Sequence, residues 1–332
     1  MLTDRQNKIL KLIILEYIKL AHPVSSNLIC DTLDCSSATI RSEMAALEEF
    51  GLLEKTHTSS GRIPSEAGYR YYVDNLMEAK EMNGEDMLRL QIIFHNQSLQ
   101  LSDCLTKSLE VISDMTNYTS IVLGTTSHTN KLKEISVVPL TDTSMIIIVI
   151  TDQGHVEHRN IELSNVSLAE VKKTVELINT LIAGTPIDEI SSKLEFEIKP
   201  IISRYVKEHE ALYNAFYQVF NEFTNKNVSI VGKDRMLEQP EFNSIKKIKE
   251  LFAKMEDKDI VNKIETDNHD ISIYIGKENK LDDDVTVIQT TYKTATDEGT
   301  IAVLGPKRMD YSRVVTLLEY IKDNIEEIKE GE

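Results

Sequence analysis

An α+β multidomain fold is predicted for this 332-residue chain, and three observations carry the prediction. Residues 1–78 alternate helical periodicity, cap residues and a short glycine-bearing hairpin, the pattern of a winged helix-turn-helix. Residues 127–225 read as a β-meander followed by helices. Segments 79–126 and 226–332, on either side of that block in sequence, supply a linker helix and further strands framed by helices, as an α/β domain with an antiparallel sheet requires. A hydrophobic content of 41% suffices for two or three cores in a chain of this length.

The first helix is announced by Thr3-Asp4-Arg5-Gln6, a capping box in which the Thr3 hydroxyl meets the Gln6 amide and the Gln6 side chain reaches back. Ile9, Ile13, Tyr17 and Leu20, joined by Leu10 and Ile14, recur at helical spacing until Pro23 ends the run. Ser25 caps a short second helix, and Ser36 caps a third that runs from Ser37 to about Phe50, with Gly51 as its stop. In the third helix Ile40, Met44 and Leu47 share one side, whereas Ala38, Arg41, Ser42 and Ala45 share the other.

Such an outer face suits a DNA major groove: small side chains permit close approach, and one guanidinium can donate two hydrogen bonds to guanine. Ser36, Ser37, Ala38, Thr39, Arg41 and Ser42 are the candidate groove residues, with Arg41 as the base reader. A solvated helix face is the competing account of the same residues. The hairpin that follows favours DNA: Leu52 to His57, a polar tip Thr58-Ser59-Ser60-Gly61, then Arg62-Ile63-Pro64. Lys55, His57, Thr58, Ser59, Ser60 and Arg62 are candidate backbone contacts, because no carboxylate lies between Lys55 and Ser65. Ser65 then caps a helix from Glu66 to about Met77, with Tyr69, Tyr72, Val73 and Leu76 directed at the three-helix core and Arg70 as a further cation for DNA.

The formal charge of -17 excludes a protein that coats nucleic acid by bulk attraction. Residues 1–77 carry 8 Lys/Arg against 10 Asp/Glu, whereas the remainder carries 29 against 44, so any DNA contact belongs to the first segment. No apolar run approaches the roughly 18 residues of a membrane helix, and Asp4 and Arg5 spoil a secretory signal, which predicts a soluble, cytoplasmic protein. Cys30, Cys35 and Cys104 have no zinc spacing and read as reduced structural thiols.

Beyond Asn83-Gly84 a single long helix is expected over 85–118, with Leu88, Ile92, Leu99, Leu105, Leu109 and Ile112 apolar. Strands are expected at Thr119–Leu123, Lys133–Leu140, Met145–Thr151, His155–Ile161, Val228–Val231, Ile271–Ile275, Val285–Tyr292 and Thr300–Leu304. Helices are expected at 167–183, 186–197, 200–223 and from Asp310 to about Ile328. Tyr213, Phe216, Tyr217 and Phe220 form an aromatic stripe that serves either a dimer interface or packing on the meander.

Chemistry finds little footing. His155-Val156-Glu157-His158 would face both sides of a strand, and Asp282-Asp283-Asp284 reads as a solvated turn. Lys307 and Arg308 precede a helix start and could hold an anion, although Gly305-Pro306 more plainly turns the chain. No nucleophile, base and orienter form a set, so no catalytic residue, metal or cofactor is expected.

Ser36-Ser37-Ala38-Thr39-Ile40-Arg41, Glu43-Met44-Ala45, His57 through Pro64 and Gly68-Tyr69-Arg70 closely resemble the HrcA family of bacterial heat-inducible transcription repressors. Gly299 through Tyr311 resembles the same family's carboxy-terminal signature, so the likeness spans nearly the whole chain, loosely in the middle. Two positions depart from the pattern: Ser42 stands where Asn usually follows the reading Arg, and Ser25-Ser26 stands where Gly-Ser is common. The resemblance implies a GAF-like domain interrupted by a dimerisation block, and a homodimer repressing chaperone operons through an inverted-repeat operator of the CIRCE type. It also implies modulation by the GroEL-type chaperonin. A regulator responding to a small effector, and an enzyme bearing a winged-helix appendage, are the alternatives.

Overall fold

In the computed structural model the described residues are 2–30, 32–33, 35–56, 61–78, 80–96, 99, 101–123, 131–141, 143–152, 154, 156–162, 167–201, 213–214, 216–220, 228–242, 244–256, 271–279, 281–294 and 298–327. They form two compact units: Met1–Leu123 with Ile230–Tyr292 and Thr300–Glu332, and Gly124–Ser229 with Lys293–Gly299.

The first unit begins with helices α1 (Asp4–Leu20), α2 (Ser26–Cys30) and α3 (Ser37–Glu49), the hairpin β1 (Leu53–Lys55) and β2 (Arg62–Pro64), and α4 (Glu66–Asn75). Each start has the expected chemistry: the Thr3–Gln6 capping box closes in both directions, and the Ser65 hydroxyl accepts from the Gly68 amide at 3.0 Å. Ile9, Leu10, Ile13, Ile14, Ile40, Met44 and Leu47 are buried, so the predicted apolar sides of α1 and α3 meet. Gly51, at φ 74°, turns the chain out of α3 into the hairpin. Gly68 is required for contact rather than conformation: a Cβ there would stand 2.1 Å from the Leu52 carbonyl oxygen, where α4 presses on the hairpin base.

The same unit continues with α5 (Gly84–Phe94), α6 (Leu101–Thr116), β3 (Thr119–Leu123), β7 (Val228–Val231), α9 (Ile245–Glu256), β8 (Ser272–Ile275), β9 (Val285–Lys293), β10 (Glu298–Pro306) and α10 (Tyr311–Glu327). Its five strands lie in the order β7-β3-β10-β9-β8, with β10 antiparallel to β3 and β8 antiparallel to β9. The buried run of β9, Val285 to Tyr292, has a layer on each side: Ile288 and Tyr292 join the main core with Ile112 and Leu318, while Val285 and Val287 lie outside it.

One expectation fails here. The long helix over 85–118 is two helices, α5 and α6, that pack on each other, with His95 as the cap that ends α5. The break resets the helical phase. Leu90 and Ile93 are therefore buried on α5, while Leu88 and Ile92 are 58% and 65% exposed. Helix α9 is an addition: its Leu251 and Met255, at helical spacing, are buried although its other face is rich in lysine.

The second unit holds the antiparallel meander β4 (Leu132–Pro139), β5 (Ser144–Thr151) and β6 (Val156–Glu162), then α7 (Leu168–Ile182) and α8 (Ile187–Lys193), which runs into a π-helical turn Leu194–Ile198. Alternate residues of β5, Met145, Ile147 and Val149, face a core shared with Val171, Ile178 and Ile190. Phe216 and Phe220 are wholly buried in that core, Tyr213 is nearly so, and Tyr217 packs at its margin, stacked on Tyr213 at 5.8 Å. Phe216 and Phe220 therefore pack within their own unit, while Tyr217 keeps partial exposure.

Candidate nucleic-acid interface

Helix α3 is set by its cap and by its neighbour α2. The Ser36 hydroxyl accepts from the Thr39 amide at 3.2 Å and lies 2.9 Å from the Thr39 hydroxyl. Ser37 donates to the Asn27 side chain at 2.9 Å and lies 3.0 Å from the Ser26 hydroxyl, so two residues of the five-residue α2 hold the first turn of α3. With that register fixed, Ala38, Arg41, Ser42 and Ala45 are exposed together. Arg41, itself exposed, donates its Nε to Ser26 at 3.2 Å, which steers the guanidinium. Ser26 and Asn27 were not candidates from sequence; the signal for Ser26 was its place on the inner side of a very short helix.

Acidic neighbours are drawn off this face. Glu43 accepts from Gln6 at 3.1 Å and sits 3.6 Å from Arg5, on the side of α1. Glu48 accepts the Arg62 Nε at 2.8 Å, joining the last turn of α3 to the hairpin. Arg62 is consequently a brace, with its side chain only 15% exposed. Its backbone pairs on both edges: Arg62 faces Lys55 across the hairpin, and its amide and carbonyl exchange 2.9 Å bonds with Val24. Lys55 is exposed and has no ion pair among the described residues. His57, Thr58, Ser59 and Ser60 lie outside the described residues.

The remaining candidate charges are paired within the protein. Arg70 is taken up by protein acceptors: it donates to Glu278, to Asp74 at 3.2 Å and to the Ile273 carbonyl. Lys307 and Arg308 are no anion site, because Lys307 is held by Glu66 at 3.0 Å and Asp284 at 3.7 Å, and Arg308 by Glu241 and Gln239. Asp282 and Asp284 are paired with Lys254 and Lys247 in the turn before β9. The His155 part of the His-Val-Glu-His stretch lies outside the described residues. Among the described residues no helix is long and apolar enough to cross a membrane.

Kinship agrees with this geometry. Residues 1–74 match the model of the winged helix-turn-helix transcription repressor, HrcA DNA-binding, and residues 102–315 match that of the HrcA protein C-terminal domain. The chain is 39% identical to the heat-inducible transcription repressor HrcA of Bacillus pumilus, over 98% of this chain and 97% of that one. A crystal structure of a hypothetical protein shares the fold at a TM-score of 0.69, with 22% identity, covering 99% of this chain and 98% of the other. The chain belongs to the HrcA family: it is a heat-inducible transcription repressor, not an enzyme, and its DNA-binding part is the winged helix.

Proposed function

We propose that two copies of this chain, in the cytoplasm, bind an inverted-repeat operator of the CIRCE type upstream of heat-shock and chaperone operons. Each copy lays α3 in a major groove and its wing on the flanking backbone, and a GroEL-type chaperonin modulates the repression. The observation that carries the reading is the exposed face of Ala38, Arg41, Ser42 and Ala45, with one guanidinium steered by Ser26. In this reading Arg41 meets base edges, Ser36, Ser37, Thr39 and Ser42 meet the groove and its phosphates, and Lys55 with residues 57–60 meets the backbone. Arg62 holds the wing in place.

Among the described residues of α3 and the wing, Arg41 and Lys55 are the cations without an ion pair. So few phosphate contacts give weak binding at physiological salt. Two copies double the contacts and make the second engagement intramolecular, which matches a two-fold operator. The inserted block, residues 127–225, is the segment that pairs the copies, as the family likeness implies.

Footprinting of full-length protein on an inverted repeat, with and without purified chaperonin, tests target and control together. Arg41→Ala is expected to weaken protection about tenfold or more at each half-site, from the ~1–3 kcal/mol of a bidentate guanine contact. A folded Arg41→Ala protein that protects the repeat as well as the parent would overturn the groove reading. Unchanged protection when chaperonin is added would remove the chaperonin from the scheme.

A further inference from the structure

Helix α4 has a face for which DNA binding has no use. Tyr69 and Tyr72, both nearly fully buried, place their rings 5.9 and 6.3 Å from Tyr311 at the start of α10. Helix α4 carries two ion pairs of opposite polarity. Arg70 reaches Glu278 and the Ile273 carbonyl, while Glu66 receives Lys307. Gly276 makes room for that second pair, since a Cβ there would lie 2.6 Å from the Glu66 carboxylate, and its φ of 53° already excludes most side chains.

Helix α1 is fastened separately, by Arg308 Nη1 donating to the Ile18 carbonyl at 3.3 Å. The chain that leaves α4 is fastened as well. Ser312 donates to the Glu78 carbonyl at 2.6 Å, Thr316 to the Lys80 carbonyl at 2.9 Å, and Lys80 pairs with Asp310 at 2.9 Å.

We infer that Arg70, Glu66, Lys307 and Glu278 are positioning residues for DNA recognition: they fix α3 relative to the sheet-bearing part of the unit and so set the half-site spacing that the repressor accepts. The inference rests on the inverted-repeat reading above. Magnitudes decide between a fixed and a tethered winged helix. A flexible connection of eight residues, from 76 to 83, would let its ends wander roughly 15 Å. One added base pair moves a half-site by only about 3.4 Å along the duplex and about a tenth of a turn around it. A tethered winged helix therefore tolerates spacer changes, and one held at α1, at α4 and along the connection tolerates fewer.

The test uses full-length protein and a series of inverted repeats whose spacers differ by one and two base pairs from the best operator. The parent is expected to prefer its best spacer by about tenfold or more. Arg70→Gln should flatten that preference to within about threefold, because mis-spaced repeats gain relative to the correct one, and Arg70→Lys should restore part of it. Should Arg70→Gln fail to fold, Glu278→Gln and Lys307→Gln remove the same pairs from the opposite side without altering the winged helix. Folded variants that keep the full spacing preference, or that bind the best operator more tightly, overturn the inference and leave the inverted-repeat reading standing. A parent that binds a lone half-site as tightly as the repeat overturns both.

Discussion

Two arginines on two helices of one winged helix have opposite surroundings. Arg41 on α3 is exposed and, among the described residues, bonds from Nε to the Ser26 hydroxyl. Arg70 on α4 donates to a carboxylate on its own helix, a carboxylate beyond β8 and a main-chain carbonyl. In sequence both are lone cations among small or aromatic residues, and the structure separates them by what faces them. Ala38, Arg41, Ser42 and Ala45 of α3 are exposed among the described residues, whereas the face of α4 meets a buried tyrosine and a fitted glycine. A guanidinium already satisfied by three acceptors has little left to give a phosphate, since Arg gains most from donors that are free and correctly forked.

If α4 is a structural seam and α3 a working surface, truncation should separate stability from binding. Tyr311 is wholly buried between Tyr69 and Tyr72, and Tyr311→Ala is expected to cost about 3–5 kcal/mol in urea unfolding of the full chain. Arg41→Ala should move the same midpoint by no more than about 0.5 kcal/mol, as exposed substitutions do. Equal losses for the two would erase the distinction between the faces.

Gly68→Ala sharpens the comparison at the point where α4 meets the hairpin. Alanine favours a helix interior over glycine by about 1 kcal/mol, so propensity alone predicts stabilisation. The obstacle is a backbone carbonyl of Leu52 at 2.1 Å, which cannot swing aside as a flexible side chain would. Overpacking of that kind costs about 1–3 kcal/mol and should outweigh the propensity gain. Thermal unfolding would show it, with a raised midpoint disproving the close approach.

What the sequence made legible was local. Ser36 and Ser65 cap their helices because the amides they accept lie three residues on, and Ile40, Met44 and Leu47 are buried because one helical period puts them together. The strands were legible for the same reason, Thr119–Leu123 and Val228–Val231 having the bounds that alternation and turn residues assign. Illegible features depend on residues far apart in the chain. Nothing near Arg70 announces Glu278, 208 positions away, and nothing near Arg62 distinguishes a phosphate from Glu48 on the preceding helix. The aromatic stripe around Phe216 had the right spacing for a surface or a core, and only the meander beneath it decides for the core. Leu88 and Ile92 were misassigned because a helical period was counted across the break after Phe94.

The smallest expected effect concerns pH and isolates the ionic part of the seam. Burial pushes the Glu278 carboxyl up, but hydrogen bonds from Arg70 and from the Ile275 amide outweigh it and hold the group below its ordinary 4.5. A carboxylate whose folded value is lowered stabilises the fold fully above the unfolded value and loses that contribution as pH falls through the folded one. Arg70 stays charged throughout, its own affinity for the proton raised chiefly by the bond to Glu278. The pair is partly solvated, so about 1 kcal/mol is the ceiling. Urea midpoints of the parent and Glu278→Gln should therefore differ at pH 6 and converge below pH 4.5, because the glutamine has no proton to gain. Parent and Glu278→Gln curves that stay parallel from pH 6 downward would show that tyrosine packing, without the ion pairs, holds α4 in place.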